Sequence, residues 1–137
     1  MLVELALGSA VILTAFGGAF EFGFTFYRYN SLAVAVNNGA RLASVISYDS
    51  ATEEPSLAYT SAVKNLVVYG DPAGGSAPAV PGLAPSHVAV RVAFANGVPG
   101  TVTVSVSGYT IDSLFGRMNC QGKPSVSYAF TGIYAPY

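Results

Sequence analysis

The hydrophobic pattern at the start of the chain predicts one long helix. Sixteen uncharged positions lie between Glu4 and Glu21, and no proline occurs before Pro55. Beyond Glu21, apolar residues recur every three or four positions, which is the stripe of an amphipathic helix. The stripe consists of Phe22, Phe26, Tyr29, Ala33, Val36, Ala40, Ala43 and Ile46. We predict a helix from about Leu2 to about Ser47, apolar all round in its first half and amphipathic in its second.

The next part of the chain predicts a second helix and then a loop. An acidic, polar break over 49–55 precedes a helix from about Ser56 to Val68, since acidic residues suit a helix N-terminus. Residues 71–85 are rich in glycine, proline, alanine and serine. Their glycines follow no predicted strand and open no helix, so they predict a surface loop rather than a phosphate-binding loop.

The last third of the chain has the alternation of β-strands. Valines alternate with small or polar residues over 88–95 and 101–107, on either side of the hairpin signal Asn96-Gly97. A third strand is expected near Ser125–Tyr134, a turn of helix or a loop over 111–116, and a loop around Cys120. The predicted fold class is α+β, a long N-terminal helix packed against a small antiparallel sheet.

This organisation divides the chain into an apolar helix, 1–27, and a small globular domain, 28–137. The uncharged run is slightly shorter than the ~18–20 residues that cross a bilayer core. A signal peptide is disfavoured, because it has a basic start and no lysine or arginine precedes Arg28. A simple membrane anchor leaves Glu4 unexplained, because a carboxylate at the edge of an apolar helix is costly unless it is paired.

Composition points to a surface that meets lipid or other protein chains. Hydrophobic residues make up 52% and charged residues 9%, where a soluble domain carries about a quarter charged. The net charge of −1 disfavours nucleic acid as a partner. A single cysteine, Cys120, is either a free thiol or half of an intermolecular pair. With one histidine, His87, and no acidic cluster, we expect no enzyme, no cofactor and no metal site.

Two acidic residues are candidate assembly residues. Glu4 is disfavoured against an apolar bundle unless a neighbour neutralises it, and such a pair would fix the axial register of adjacent helices. The alternative places Glu4 in water or among head groups. Glu21 pairs with Arg28, or with an arginine of a neighbour, or simply lies at the membrane edge.

Aromatic residues and glycines complete the candidate set. Aromatics crowd the end of the apolar run and predict either an interfacial belt or a packed filament core; they include Phe16, Phe20, Phe22 and Phe24. Gly17 and Gly18 mark either a soft spot in the helix or a place where helices approach closely. Leu114 and Phe115 are either a contact for a neighbouring subunit or a satellite of the core.

The first 45 residues resemble the TadE-like proteins, pilin-like subunits of tight-adherence systems within the type IV pilin class. The motifs that carry the resemblance are Val3-Glu4-Leu5-Ala6-Leu7, Glu21-Phe22-Gly23, Tyr27-x-Tyr29-Asn30-x-Leu32 and Ala35-Val36-x-x-Gly39-Ala40-Arg41-x-Ala43-Ser44. The resemblance implies an inner-membrane precursor that is trimmed by a prepilin peptidase. Pilus assembly machinery then draws the mature chain into a helical surface filament, or the mature chain helps to initiate one.

The resemblance also implies a role for the N-terminus. In type IV pilins an acidic residue at the fifth mature position pairs with a neighbour's terminal amine. Glu4 lies one residue early, so either the chain as given is already processed, with its amine at Met1, or the true start lies upstream.

The favoured function is a structural subunit of an extracellular, homo-oligomeric, type IV pilus-like filament. Two alternatives remain open. One is a minor pseudopilin that primes or caps a pilus, and the other is a membrane-anchored surface binding module.

Overall fold

The long helix is present, and only its second half is covered. The computed structural model describes residues 2–113 and 116–137. Helix α1 spans Leu2–Val45, about 65 Å at ~1.5 Å per residue. Its buried residues all lie in the second half: Leu32, Val36, Gly39, Ala40, Ala43 and Ser44. The predicted division into an all-round apolar half and a one-sided half is therefore confirmed.

The phase of the predicted stripe is wrong near residue 22. Phe22 and Phe26 are 76% and 64% exposed, whereas the half-buried positions of this stretch include Glu21, Thr25 and Arg28. Helical spacing identifies an apolar face, but it does not say whether that face meets the same chain, a lipid or another chain.

Helix α2, Leu57–Tyr69, is confirmed to within one residue. The Ser56 side chain caps it, since its Oγ accepts from the Tyr59 N–H at 3.1 Å. Gly70 ends it in the left-handed conformation at φ 77°. The helix crosses α1 closely, because a Cβ on Gly39 would overlap Cγ2 of Val67.

The described sheet is antiparallel, in the order β1-β2-β3. After the loop, a short 3-10 helix, Pro85–His87, leads into β1, Val88–Ala95; β2 spans Val98–Ser113 and β3 spans Gly116–Ala129. The valines at 102, 104 and 106 are fully buried, in a strand that packs on α1. The opposite face carries hydroxyls, such as the pair Thr103 Oγ1 and Ser127 Oγ at 2.7 Å. The predicted valine and hydroxyl faces are confirmed.

Strands β2 and β3 are longer than the sequence suggested. Residues 111–113 belong to β2 rather than to a turn of helix or a loop, and Cys120 lies buried in β3 rather than in a loop. Strand β3 ends at Ala129 instead of reaching Tyr134. Polar residues, glycine and proline give β3 no period-two alternation, so pairing with β2 determines its extent rather than propensity. Leu114 and Phe115 lie outside the described residues.

The C-terminal segment is attached where α1 ends. The Thr131 N–H donates to the Ser44 carbonyl at 2.8 Å, and the Ala135 N–H donates to the Tyr48 carbonyl at 2.9 Å. Tyr48 is fully buried at the centre of an aromatic cluster that also contains Tyr59, Phe94, Phe130 and Tyr134. The two ends of the described chain therefore lie at opposite ends of α1.

Candidate functional site

The first half of α1 presents apolar side chains to its surroundings in every direction. None of the described residues from 2 to 20 is buried, and Leu2, Phe16 and Phe20 are 84%, 73% and 74% exposed. The helix contains an 18-residue window with a mean hydropathy of 1.8 and no burial. By length and composition it is able to cross a membrane.

Glu4 lies in the first turn of this segment and is exposed. A carboxylate is favourable there, because the N-terminal end of a helix carries partial positive charge. The predicted pairing of Glu4 with a neighbour's amine stays a prediction, and Met1 lies outside the described residues.

Glu21 is held against the sheet by the end of β2. The Ser113 hydroxyl donates to its Oε2 at 2.9 Å, across 92 positions of sequence. Arg28, two turns further on, places its guanidinium 4.7 Å from the centre of the Phe24 ring, a cation–π distance. Both charged side chains are half-buried, so they mark the point on α1 where coverage by the domain begins.

The four candidate aromatics face outward. Phe16, Phe20 and Phe22 are 73–76% exposed and Phe24 is 42% exposed. The rings of Phe20 and Phe24, one helical turn apart, are stacked with centroids 6.4 Å apart. Packing among the described residues leaves these side chains largely uncovered.

Comparison with known families bears on this same segment. A family model described as TadE-like protein matches residues 1–41. The resemblance deduced from the sequence is thereby confirmed over these residues. No curated protein and no solved structure matched the chain.

In the TadE-like segment, residues 1–41, the glycines of the exposed half face open space. Among the described residues, a Cβ at Gly8, Gly17, Gly18 or Gly23 would meet nothing within 4 Å. The helix runs unbroken through Gly17 and Gly18. Their proposed roles, soft spot or close approach between helices, both stay predictions.

A cleft separates the TadE-like segment from the end of the β2–β3 hairpin. It measures about 490 Å³ and is lined by Gly18, Glu21, Phe22, Thr25, Ser113, Gly116, Arg117 and Met118. Arg117 forms a surface ion pair with Asp112, Nε to Oδ1 at 3.1 Å. Sequence reasoning missed this side of the site because 111–116 was not predicted to be a strand. The alternation of Tyr109, Ile111 and Ser113 was the sequence signal that β2 extends to residue 113.

The remaining candidate groups serve the fold. Nδ1 of His87 accepts from the Ala84 N–H at 3.1 Å, and its ring packs near that of Tyr109 at 5.8 Å. Burial raises the pKa of the Cys120 thiol, which lowers its reactivity because the thiolate is the nucleophile. Within residues 2–113 and 116–137, no three His, Cys, Asp or Glu side chains are grouped to hold a metal ion.

Proposed function

We propose that this chain is a structural, non-catalytic subunit of an extracellular type IV pilus-like filament. Identical subunits assemble by bundling the exposed apolar halves of their α1 helices. The observation that carries the proposal is that one helix has two environments. None of residues 2–20 is buried, whereas the second half of the helix is built into the domain. The domain then decorates the outside of the bundle.

Burial of apolar surface supplies the driving force. Each large side chain removed from water contributes about 1.5–3 kcal/mol, and residues 2–20 offer such side chains on all sides. When parallel helices pack with an axial offset, each exposed half meets its neighbour through a different stretch of its length, so the contact is heterologous. Contacts of this type propagate into open helical polymers when they do not close into rings.

Before assembly, the same surface suits the inner membrane. The TadE-like match over residues 1–41 supports processing by a prepilin peptidase and extraction by pilus machinery. In the assembled bundle, Glu4 pairs with the terminal amine of a neighbour. Only one axial offset satisfies both charges, so the pair sets the register.

The test is electron microscopy of material sheared from the cell surface, with mass spectrometry of its protein. We expect long filaments composed mainly of this chain. Filaments that contain only traces of it would instead make it a minor pseudopilin. A chain confined to the membrane fraction, with no filaments, would make it an anchored binding module.

A substitution tests the assembly step itself. Glu4→Ala should abolish filaments and leave the urea unfolding of the domain unchanged, because Glu4 lies in the half of α1 that the domain does not cover. Glu54→Ala is the matched control, since this carboxylate is exposed in the 49–55 segment, and it should assemble normally. Normal filaments from the Glu4→Ala chain would contradict the proposed pairing.

A further inference from the structure

The β2–β3 hairpin reaches the level of α1 at which the apolar segment ends. Strand β3 runs alongside α1: its Gly116 end lies at the Gly18–Thr25 cleft, and near its other end the Tyr128 hydroxyl donates to Asn37 Oδ1 at 2.8 Å. We call residues 112, 113 and 116–118 the hairpin end. Its depth in a membrane follows from its position along the helix.

The length of the apolar segment fixes that depth. Residues 2–20 rise about 28 Å along the helix axis, which matches the ~30 Å hydrocarbon core of a bilayer. Glu21 therefore lies at head-group level when the segment spans the membrane. Because Ser113 donates to Glu21 at 2.9 Å, the hairpin end lies at the same level.

Helix tilt changes the depth of the hairpin end only slightly. Transmembrane helices tilt by about 20° on average, and packed elements lie about 10 Å apart. The hairpin end then moves by roughly 3–4 Å along the membrane normal. Each head-group layer is about 5–7 Å thick, so the hairpin end remains within it or at its border.

The side chains of the hairpin end suit this environment. Met118 is 37% exposed and lines an apolar hollow with Phe22, Thr25, Phe26 and Tyr29. Arg117 is paired with Asp112, so the pair brings no net charge to the interface. Arginine side chains bury their stems and keep their charge among head groups, and tyrosines, such as Tyr29 in this hollow, are enriched at the same depth.

We propose that the hairpin end rests in the head-group region of the bilayer beside α1 and is a second membrane contact of the chain. The contact sets the orientation of the globular domain on the membrane before assembly. This inference rests on the membrane-anchored state in the proposed function, but it does not depend on filament formation.

Site-directed spin labelling of the full chain tests the contact. The chain carries Cys120→Ala, so that one introduced cysteine takes the nitroxide, and is placed in phosphatidylcholine nanodiscs at one chain per disc. The label is attached to Met118→Cys. Phe16→Cys is the control within the apolar segment, and Ala129→Cys is the exposed control at the far end of β3. The measurement compares collision of each label with oxygen, which enters lipid, and with a water-soluble nickel chelate.

We expect the ratio of oxygen to nickel accessibility at 118 to lie between the ratios at 16 and 129. A ratio at 118 equal to that at 129, with 16 in lipid, would overturn the contact and leave the membrane anchor intact. Low accessibility to both reagents would also overturn it, since the side chain would then face protein. An aqueous label at 16 would overturn both the anchor and the contact.

Two further measurements keep these outcomes separate. Thermal unfolding checks that each labelled chain is folded; if the 118 variant is not, Arg117→Cys takes its place, because that side chain is 82% exposed. Sheared filaments from cells that express the unlabelled chain report on the proposed function independently of the nanodisc result.

Discussion

Glycines in the two halves of α1 have different surroundings. Gly39 is buried where α2 crosses, and a Cβ there would overlap the Val67 side chain. Gly23 lies in the exposed half and faces open space. The two positions therefore distinguish a glycine that domain packing requires from one that the domain does not constrain.

Gly39→Ala should lower the free energy of unfolding of the domain by about 1–3 kcal/mol, because an added methyl in a packed crossing forces the helices apart. Urea unfolding of the full chain in detergent micelles measures this loss. Gly23→Ala is the matched control and should be neutral or slightly stabilising, since alanine is the better helix former. Equal unfolding free energies for Gly39→Ala and the unchanged chain would contradict the close crossing.

The buried Tyr59 makes the stability of the fold depend on pH in the alkaline range. Its hydroxyl donates to the Ala43 carbonyl, and burial raises its pKa well above the ordinary 10.0. The folded chain therefore holds this proton more tightly than the unfolded chain. The resulting stability is complete below pH 10 and is lost as the pH rises towards the folded-state pKa.

Tyr59→Phe should cost about 1 kcal/mol near neutral pH through the lost hydrogen bond. It should also make the fall in stability above pH 10 shallower. Urea unfolding near neutral pH and about one unit above pH 10 measures both effects. Part of the slope should remain, because burial also raises the pKa of Tyr48 and Tyr109. An unchanged slope in the variant would contradict the role assigned to Tyr59.

At the scale of elements, the long helix was the most predictable part of the chain. A long apolar run, helical spacing and the absence of proline are local signals, and they gave α1 to within about two residues. The inward face near residue 22 was not predictable, because Glu21 and Thr25 turn inward only through the hairpin end. The extent of strand β3 was equally unpredictable, because pairing with β2 determines it, at positions such as Thr110–Asn119 and Asp112–Arg117.

The glycine pair in the exposed half of α1 should control local opening of the helix. Gly17→Ala with Gly18→Ala adds up to about 2 kcal/mol of helix propensity in open space. We expect slower amide hydrogen exchange around residue 17 in micelles, together with an unchanged urea midpoint for the domain. Exchange as fast as in the unchanged chain would show that glycine is not the cause of opening there.

At the scale of the molecule, the boundary between helix and domain is open to test. The sequence suggested a domain beginning at residue 28, but the hairpin end contacts Glu21, and the cleft begins at Gly18. A chain that begins at residue 18 should therefore keep the urea midpoint of the full chain. A chain that begins at residue 28 should unfold at lower urea and lose protection from proteolysis near the hairpin end. Equal midpoints for the two truncations would place the boundary at 28.

The C-terminal segment lies at the end of α1 that is far from the apolar half. Its hydrogen bonds to Ser44 and Tyr48 hold the last residues beside the far end of α1, about 65 Å along the helix axis from Leu2. The Tyr137 side chain is fully exposed there. In the proposed filament, a peptide attached at Tyr137 would thus be carried at the outer rim of each subunit, away from the exposed half of α1. A filament built in this way would present one copy per subunit as a repeating array.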